Sequence, residues 1–213
     1  MGILTLEHSK CAYWADFAIY GLVVTGLAVF LCADAPRAQW LGITAWCFAG
    51  LSGWTLIEYL LHRFVLHGLQ PFRGWHAAHH DRPSALIGTP TVLTVGLFLI
   101  LVFLPTMLLG GLWHACSLTL GVLIGYLSYA LTHHAVHHWR ADSRWMAQRK
   151  LWHAAHHHNL QPACYGVTSG VWDRVFFSVK APTKPRDRSL EPDDEGSNRL
   201  EAAVEAANAF IVA

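Results

Sequence analysis

Four long apolar stretches leave this chain few folds to choose from. They run roughly over residues 12–33, 40–61, 86–109 and 112–132, and the only charged residues inside them are Asp16 and Glu58. A helix needs about 20 residues to cross the hydrocarbon core of a bilayer, and each stretch supplies that length. Backbone inside lipid must satisfy its own hydrogen bonds, so stretches of this kind are helices. Composition agrees. Of 213 residues, 54% are hydrophobic and 14% charged, with a mean hydropathy of +0.31, too apolar for a soluble domain of this size. The expected class is an all-α integral membrane protein with four transmembrane helices. Residues 1–180 form the membrane-embedded domain, and residues 181–213 form a polar, Pro-rich and then Ala-rich flexible tail without catalytic content.

Loop charge predicts the orientation. Arg37 is the single basic residue between the first two stretches, none lies between the last two, and the other fourteen Lys and Arg precede the first, separate the second from the third, or follow the fourth. Basic residues stay on the cytoplasmic side, which places both termini there. Glu7, His8 and Lys10 precede an apolar run with no small-residue cleavage site, so the first helix is read as uncleaved. Asp16 and Glu58 each sit within about a turn of a span end, in reach of headgroups or a cap. Cys11, Cys32, Cys47, Cys116 and Cys164 form no C-x-x-C pair and read as buried thiols. A net charge of +1 gives no basis for a nucleic-acid partner.

The unusual feature is histidine. Thirteen of the fifteen histidines fall within residues 62–80 and 133–158, and the hexapeptide WHAAHH at Trp75–His80 returns at Trp152–His157. His62 begins as the second span ends and His133 as the fourth ends, so both windows leave on the same, cytoplasmic face and can meet in one helical cap. At about 100° per residue, positions i, i+3 and i+4 share a helical face. His76, His79 and His80 therefore form one triplet, and His153, His156 and His157 another, while His158 faces elsewhere. Two i, i+4 pairs compete after the fourth span, His133 with His137 and His134 with His138, and helical geometry alone leaves that choice open. His62 and His67 lie five apart, so either the helix breaks after His62 or the two serve different ions. Imidazole suits iron, zinc, copper and nickel, and ten converging imidazoles exceed the needs of one ion, which makes two metals the economical count. His8 and His114 read as ordinary polar residues, with His114 at the outer end of the last hairpin.

These residues resemble a known family. The segments WTLIEYLLHRFVLH (54–67), HAAHH (76–80), YALTHHAVH (129–137), HAAHH (153–157) and YGVTSGVWDRVF (165–176) are similar to the fatty acid hydroxylase and sterol desaturase superfamily. The similarity is greatest to the fatty acid 2-hydroxylases that act on sphingolipid acyl chains, and it covers roughly residues 40–180. The resemblance implies an integral membrane di-iron monooxygenase that hydroxylates a lipid acyl chain, at carbon two, with O2 as co-substrate. It implies His62, His67, His76, His79, His80, His133, His137, His153, His156 and His157 as metal ligands, selecting 133/137 over 134/138. It further implies two iron ions, replaceable by zinc in purified protein, and a membrane lipid as substrate. Eukaryotic members commonly carry a fused cytochrome b5 domain, whereas about ten residues precede the first span here. Electrons are therefore expected from an external ferredoxin or cytochrome b5-type donor with its reductase. The segment between His67 and His76, GLQPFRGW, is shorter than in the closest relatives. Glu58 is expected either to accept the second ring N–H of His62 or to pair with Arg63, and Trp172 and Asp173 to position the returning chain beneath the cap. The alternatives are a sterol or carotenoid oxidase or desaturase of the same superfamily and, outside it, a histidine-rich metal-binding or transport protein.

Overall fold

The computed structural model describes residues 7–158 and 163–180; the predicted tail lies outside the described residues. Among them the protein is helical, with no strand and one isolated antiparallel bridge, between Glu7 and Ile87. Helix α1 (Lys10–Asp34) starts where the Ser9 hydroxyl accepts the Ala12 N–H at 3.2 Å, satisfying one of the amides that a helix start leaves without a partner. A 3-10 turn leads into α2 (Trp40–Leu60), which widens into a π-helical turn over Leu61–Leu66. The short α3 (Phe72–Asp81) carries the first HAAHH. Then come α4 (Thr91–Phe98), a second π turn (Leu99–Phe103) and α5 (Leu104–His138). Helix α6 (Arg144–His158) carries the second HAAHH, and α7 (Val171–Val175) closes the described chain.

Among the described residues, three helical runs are long and apolar enough to cross a membrane: Lys10–Asp34, Arg37–Leu66 and Thr91–His138. The sequence suggests four, and the difference arises at Gly111. There φ is +79° and ψ −177°, a conformation open to glycine and closed to side-chain-bearing residues. The 48-residue run is bent there into two limbs. Phe98 and Tyr126 would stand about 42 Å apart on a straight helix at 1.5 Å per residue, yet their ring centroids are 5.2 Å apart. The limbs therefore lie side by side. The first limb starts at Thr91, later than the residue 86 expected from hydropathy. Residues 86–90 are not helical. The Leu86 carbonyl accepts the His8 N–H at 2.9 Å, and Pro90 takes the position before the first helical residue, where a missing N–H costs nothing.

Helices α2 and α5 cross at glycines. A Cβ on Gly121 would lie 2.0 Å from the Cys47 carbonyl oxygen, and one on Gly50 would lie 2.3 Å from that of Leu118. Small residues let helix backbones approach this closely, the usual solution where lipid removes the hydrophobic drive between helices. Around them Leu31, Cys116 and Leu120 are buried, and Phe30 stacks on Trp113. The outer face is apolar and open, with Leu22 73%, Leu41 85% and Leu109 91% exposed, a surface suited to lipid contact. The cysteines depart from expectation in part: Cys116 and Cys164 are buried, but Cys11 and Cys32 lie on the outer face of α1, because an apolar run in a bilayer need not face protein. At the bundle end formed by Gly42 and the Gly110–Gly111 bend, His114 bonds the Gly110 carbonyl at 2.7 Å and sits by Trp46.

Candidate metal centre

At the opposite end the two histidine windows meet. His62, His67, His76 and His156 bring one ring nitrogen each to within 4.8 Å of one another, and His79, His133, His137 and His153 do the same. His80 joins the first group, its Nε2 lying 3.0 Å from that of His76 and 3.1 Å from that of His156. His157 joins the second, 3.0 Å from His153. All ten predicted residues are thus brought together in two sets of five, and the stacked rings of His80 and His157, 4.1 Å apart, form the seam between them.

The two sets are built alike, which explains the repeated hexapeptide. Each takes a pair from the end of a long apolar helix (His62/His67 or His133/His137) and the i, i+4 pair of one HAAHH helix (His76/His80 or His153/His157). Each is completed by the i+3 histidine of the other HAAHH helix, His156 or His79. An HAAHH triplet therefore serves both sets, where its shared helical face suggested a single site.

The His62–His67 spacing is resolved by a device that neither sequence alternative contained. The helix does not break. It widens to the π form over Leu61–Leu66, where the repeat is i to i+5, so residues five apart come onto one side. The ring centroids of His62 and His67 are 5.3 Å apart, in the same set. The pair His134/His138 points away. Those rings stack on each other at 4.4 Å, and His134 meets the Tyr13 hydroxyl at 3.1 Å. His158 is exposed beyond His157.

The segment 163–168 orients the first set. His62 Nδ1 donates to the Tyr165 carbonyl at 2.5 Å and His156 Nδ1 to the Ala163 carbonyl at 2.8 Å. With Nδ1 carrying the proton in the neutral ring, each Nε2 turns a lone pair inward. Glu58, 3% exposed, overturns both expectations for it. Its Oε1 accepts the Val167 and Thr168 N–H groups at 2.7 and 2.9 Å and its Oε2 the Thr168 hydroxyl at 2.5 Å, so it holds this segment and neither His62 nor Arg63. Arg63 donates instead to the Tyr59 hydroxyl. Asp173, fully buried, accepts the Tyr165 N–H (2.8 Å) and Ser178 hydroxyl (2.8 Å) on Oδ1 and the Gly166 N–H (2.7 Å) on Oδ2. Trp172 donates to the Thr55 hydroxyl at 2.9 Å. The positioning role expected of Trp172 and Asp173 is what the geometry gives them.

Burial holds the histidines neutral. It is the main cause, ahead of neighbouring imidazoles, and it pushes His67 down to about 4 and His79 to about 3, with His76, His153 and His156 also strongly lowered. Neutral imidazole is the metal-binding form. The spacing fits as well. Around an ion bound at about 2.0–2.1 Å, nitrogens at right angles stand about 3.0 Å apart; the closest Nε2 pairs are 2.7 to 3.1 Å apart, and the four ligand nitrogens of each group lie within 4.8 Å of one another. His79 is 5% exposed, with no hydrogen-bond partner on either ring nitrogen among the described residues, a buried polar group that a metal ion would satisfy. Each set thus has the donors and the spacing to hold an ion.

A cavity of about 140 Å³ opens onto both sets, reaching His76 of the first and His79 and His133 of the second. Its other walls include Phe17, Leu66, Tyr126 and Tyr129. His8, which the sequence gave no reason to single out, also lines it, because the pairing of His8 with Leu86 brings the chain start over the opening.

The chain matches the fatty acid hydroxylase family over residues 47–178. It is 35% identical over 152 residues to dihydroceramide fatty acyl 2-hydroxylase FAH2 of Arabidopsis thaliana, covering 63% of this chain and 62% of that protein. It is 30% identical over 186 residues to ceramide very long chain fatty acid hydroxylase scs7 of Schizosaccharomyces pombe, covering 76% and 48%. The chain spans about half to three-fifths of the length of these relatives. A solved structure of full-length scs7p, in which only the hydroxylase domain is visible, superposes with a TM-score of 0.69 at 27% identity, over 84% of this chain and 70% of that one.

Proposed function

The chain belongs to the fatty acid hydroxylase family, and we propose that it is an O2-dependent membrane di-iron hydroxylase that acts on a lipid acyl chain at carbon two. The observation that carries this reading is the pair of five-histidine sets sharing one cavity. In it His62, His67, His76, His80 and His156 hold one ion and His79, His133, His137, His153 and His157 the other, with zinc able to take the place of iron in purified protein. Iron bound there would supply O2 activation and oxygen insertion into an unactivated C–H bond, chemistry outside the reach of amino-acid side chains. The chain's own groups do the rest. The Tyr165 and Ala163 carbonyls fix the tautomer of His62 and His156, Glu58 and Asp173 hold those carbonyls in place, and burial keeps the imidazoles unprotonated. Phe17, Leu66 and Tyr126 give the acyl chain an apolar path to the histidines.

In this reading the two limbs that meet at Gly111 each cross the bilayer, giving four crossings with both termini and the histidine cap on the cytoplasmic side. Residues 1–180 make up the hydroxylase domain. Two electrons per turnover come from a ferredoxin or cytochrome b5-type donor. Carbon two is supported by those relatives whose names specify 2-hydroxylation, FAH2 of Arabidopsis thaliana and the fatty acid 2-hydroxylase of Rattus norvegicus.

The test is reconstitution. Protein purified with iron should contain about two metal ions per chain and, with donor, reductase and O2, add one hydroxyl at carbon two of a lipid acyl chain. Metal-loaded protein with a working donor that yields no oxygenated lipid would overturn the proposal, and a product confined to sterols or carotenoids would move the chain to another branch of the superfamily.

A further inference from the structure

One charged group in the cavity belongs to neither histidine set. Asp16 lies inside the first apolar helix, Lys10–Asp34, where an ionisable side chain is costly and usually serves a function. Tyr13, Asp16, Phe17 and Tyr20 form one stripe of α1, three and four residues apart. The first three line the cavity, and Tyr20 bonds Thr94 beside it. Asp16 Oδ1 accepts the hydroxyl of Thr91, the first residue of α4, at 2.7 Å. That bond fixes the carboxylate at the cavity wall and leaves Oδ2 for whatever enters. Among the described residues it is the one acid lining this space.

The carboxylate shares this cavity with histidines of both sets, His76, His79 and His133. A polar group held at Asp16 would share a cavity of about 140 Å³ with His76, His79 and His133, so the carbons next to that group are the ones kept in the space the histidines line. The anchor would then select carbons near the polar end whatever the length of the acyl tail.

We propose that Asp16 is a specificity-determining residue. Its carboxylate accepts the amide N–H and hydroxyl donors of an uncharged N-acyl lipid and turns away lipids whose polar end is anionic. Hydrogen bonds to an ionised acceptor are the strong class, and like charges meeting in an apolar cavity repel with little screening. The inference rests on the hydroxylase reading for the identity of the site, with relatives named for ceramides, which are neutral N-acyl lipids, and adds the residue that reads the polar end.

Two probes with the same acyl chain and the same amide test it: an N-acylethanolamine, which is neutral, and an N-acyltaurine, whose sulfonate is always charged. Binding of each to the metal-loaded protein in detergent micelles is measured without donor or turnover. Wild type should bind the neutral probe on the order of tenfold more tightly or better, the worth of about one charge-assisted hydrogen bond. Asp16→Asn keeps the bond to Thr91 and removes the charge, so it should bring the two affinities together at unchanged metal content. Asp16→Ser is the second variant should Asn disturb the fold. Equal affinities in wild type, or an undiminished preference in a variant that keeps its metal, would overturn the proposal. A protein that discriminates the probes but hydroxylates neither supports Asp16 and removes the hydroxylase reading. One that binds and hydroxylates both alike does the reverse.

Discussion

If the two histidine sets each hold an ion as proposed, replacing Asp173 by Asn should cost the protein one of them. Asp173 uses both carboxylate oxygens as acceptors, for the Tyr165 and Gly166 N–H groups and the Ser178 hydroxyl at 2.7 to 2.8 Å, with no solvent exposure. Asn has nearly the same shape but one acceptor oxygen, so its NH2 is forced against at least one of those donors. A buried donor left without a partner costs about 1–3 kcal/mol, and trading a charged acceptor for a neutral one weakens the remaining bonds, for a total of about 3 kcal/mol. In a domain of this size that lowers Tm by roughly 6–12 °C. The metal consequence is sharper. The held segment carries the Tyr165 and Ala163 carbonyls, which orient His62 and His156, both in the same set. Losing such an outer partner typically weakens metal binding about 10–100-fold. Dialysis against a chelator at graded strength, followed by metal analysis, should take Asp173→Asn from two ions to one before wild type loses either. A variant that keeps both ions to the same chelator strength and melts within about 2 °C of wild type would refute the reasoning.

The histidines sort in the same assay: His80→Ala and His133→Ala should each lose an ion and all turnover, whereas His114→Ala and His158→Ala should keep both ions, and full activity in His133→Ala would break the assignment. Gly121→Val puts a branched side chain where a Cβ alone meets the Cys47 carbonyl at 2.0 Å, so α2 and α5 must separate, at a cost of about 1–3 kcal/mol or more seen as a lower Tm. Acid should open the metal-free cap. The folded state holds His67 at about 4 and His79 at about 3 against an ordinary value of 6.5, so below pH 6.5 the unfolded chain binds more protons and stability falls toward pH 4. Above 6.5 these groups contribute no slope, and a flat stability profile from pH 7 to 4 would contradict it.

What the sequence made legible followed from spacing, and what it hid followed from backbone geometry. Apolar runs and the two HAAHH triplets could be read directly, because helix length and the i, i+3, i+4 rule act on side-chain identity alone, whereas His133/His137 over His134/His138, and His62 together with His67, came only from the family resemblance. The partition of each HAAHH between two sets could not, since it depends on how α3 and α6 face each other across the seam at His80 and His157. The five-residue gap from His62 to His67 was a visible sign of a π turn, because five is that helix's own repeat. Glu58 was placed one turn before His62 correctly, but its partners are the N–H groups of Val167 and Thr168, and sequence does not say which backbone amides a carboxylate will find 109 residues away. The bend at Gly111 falls where one apolar run ends at about residue 109 and the next begins at about 112, so its place was legible, although the helical hydrogen-bond pattern running through it was not. Asp16 was visible as a charge in a span, but its partner Thr91 and its place on the cavity wall were not.

The most direct test of the central claim is made on lipids from cells expressing wild type beside cells expressing His153→Ala, both grown under isotopically labelled dioxygen. Mass spectra of the acyl chains should show one labelled oxygen in the wild-type sample, with fragmentation placing it on carbon two, and none in the variant. Label at equal abundance in both samples, or in neither while wild type holds its two ions and a working donor, would contradict the claim.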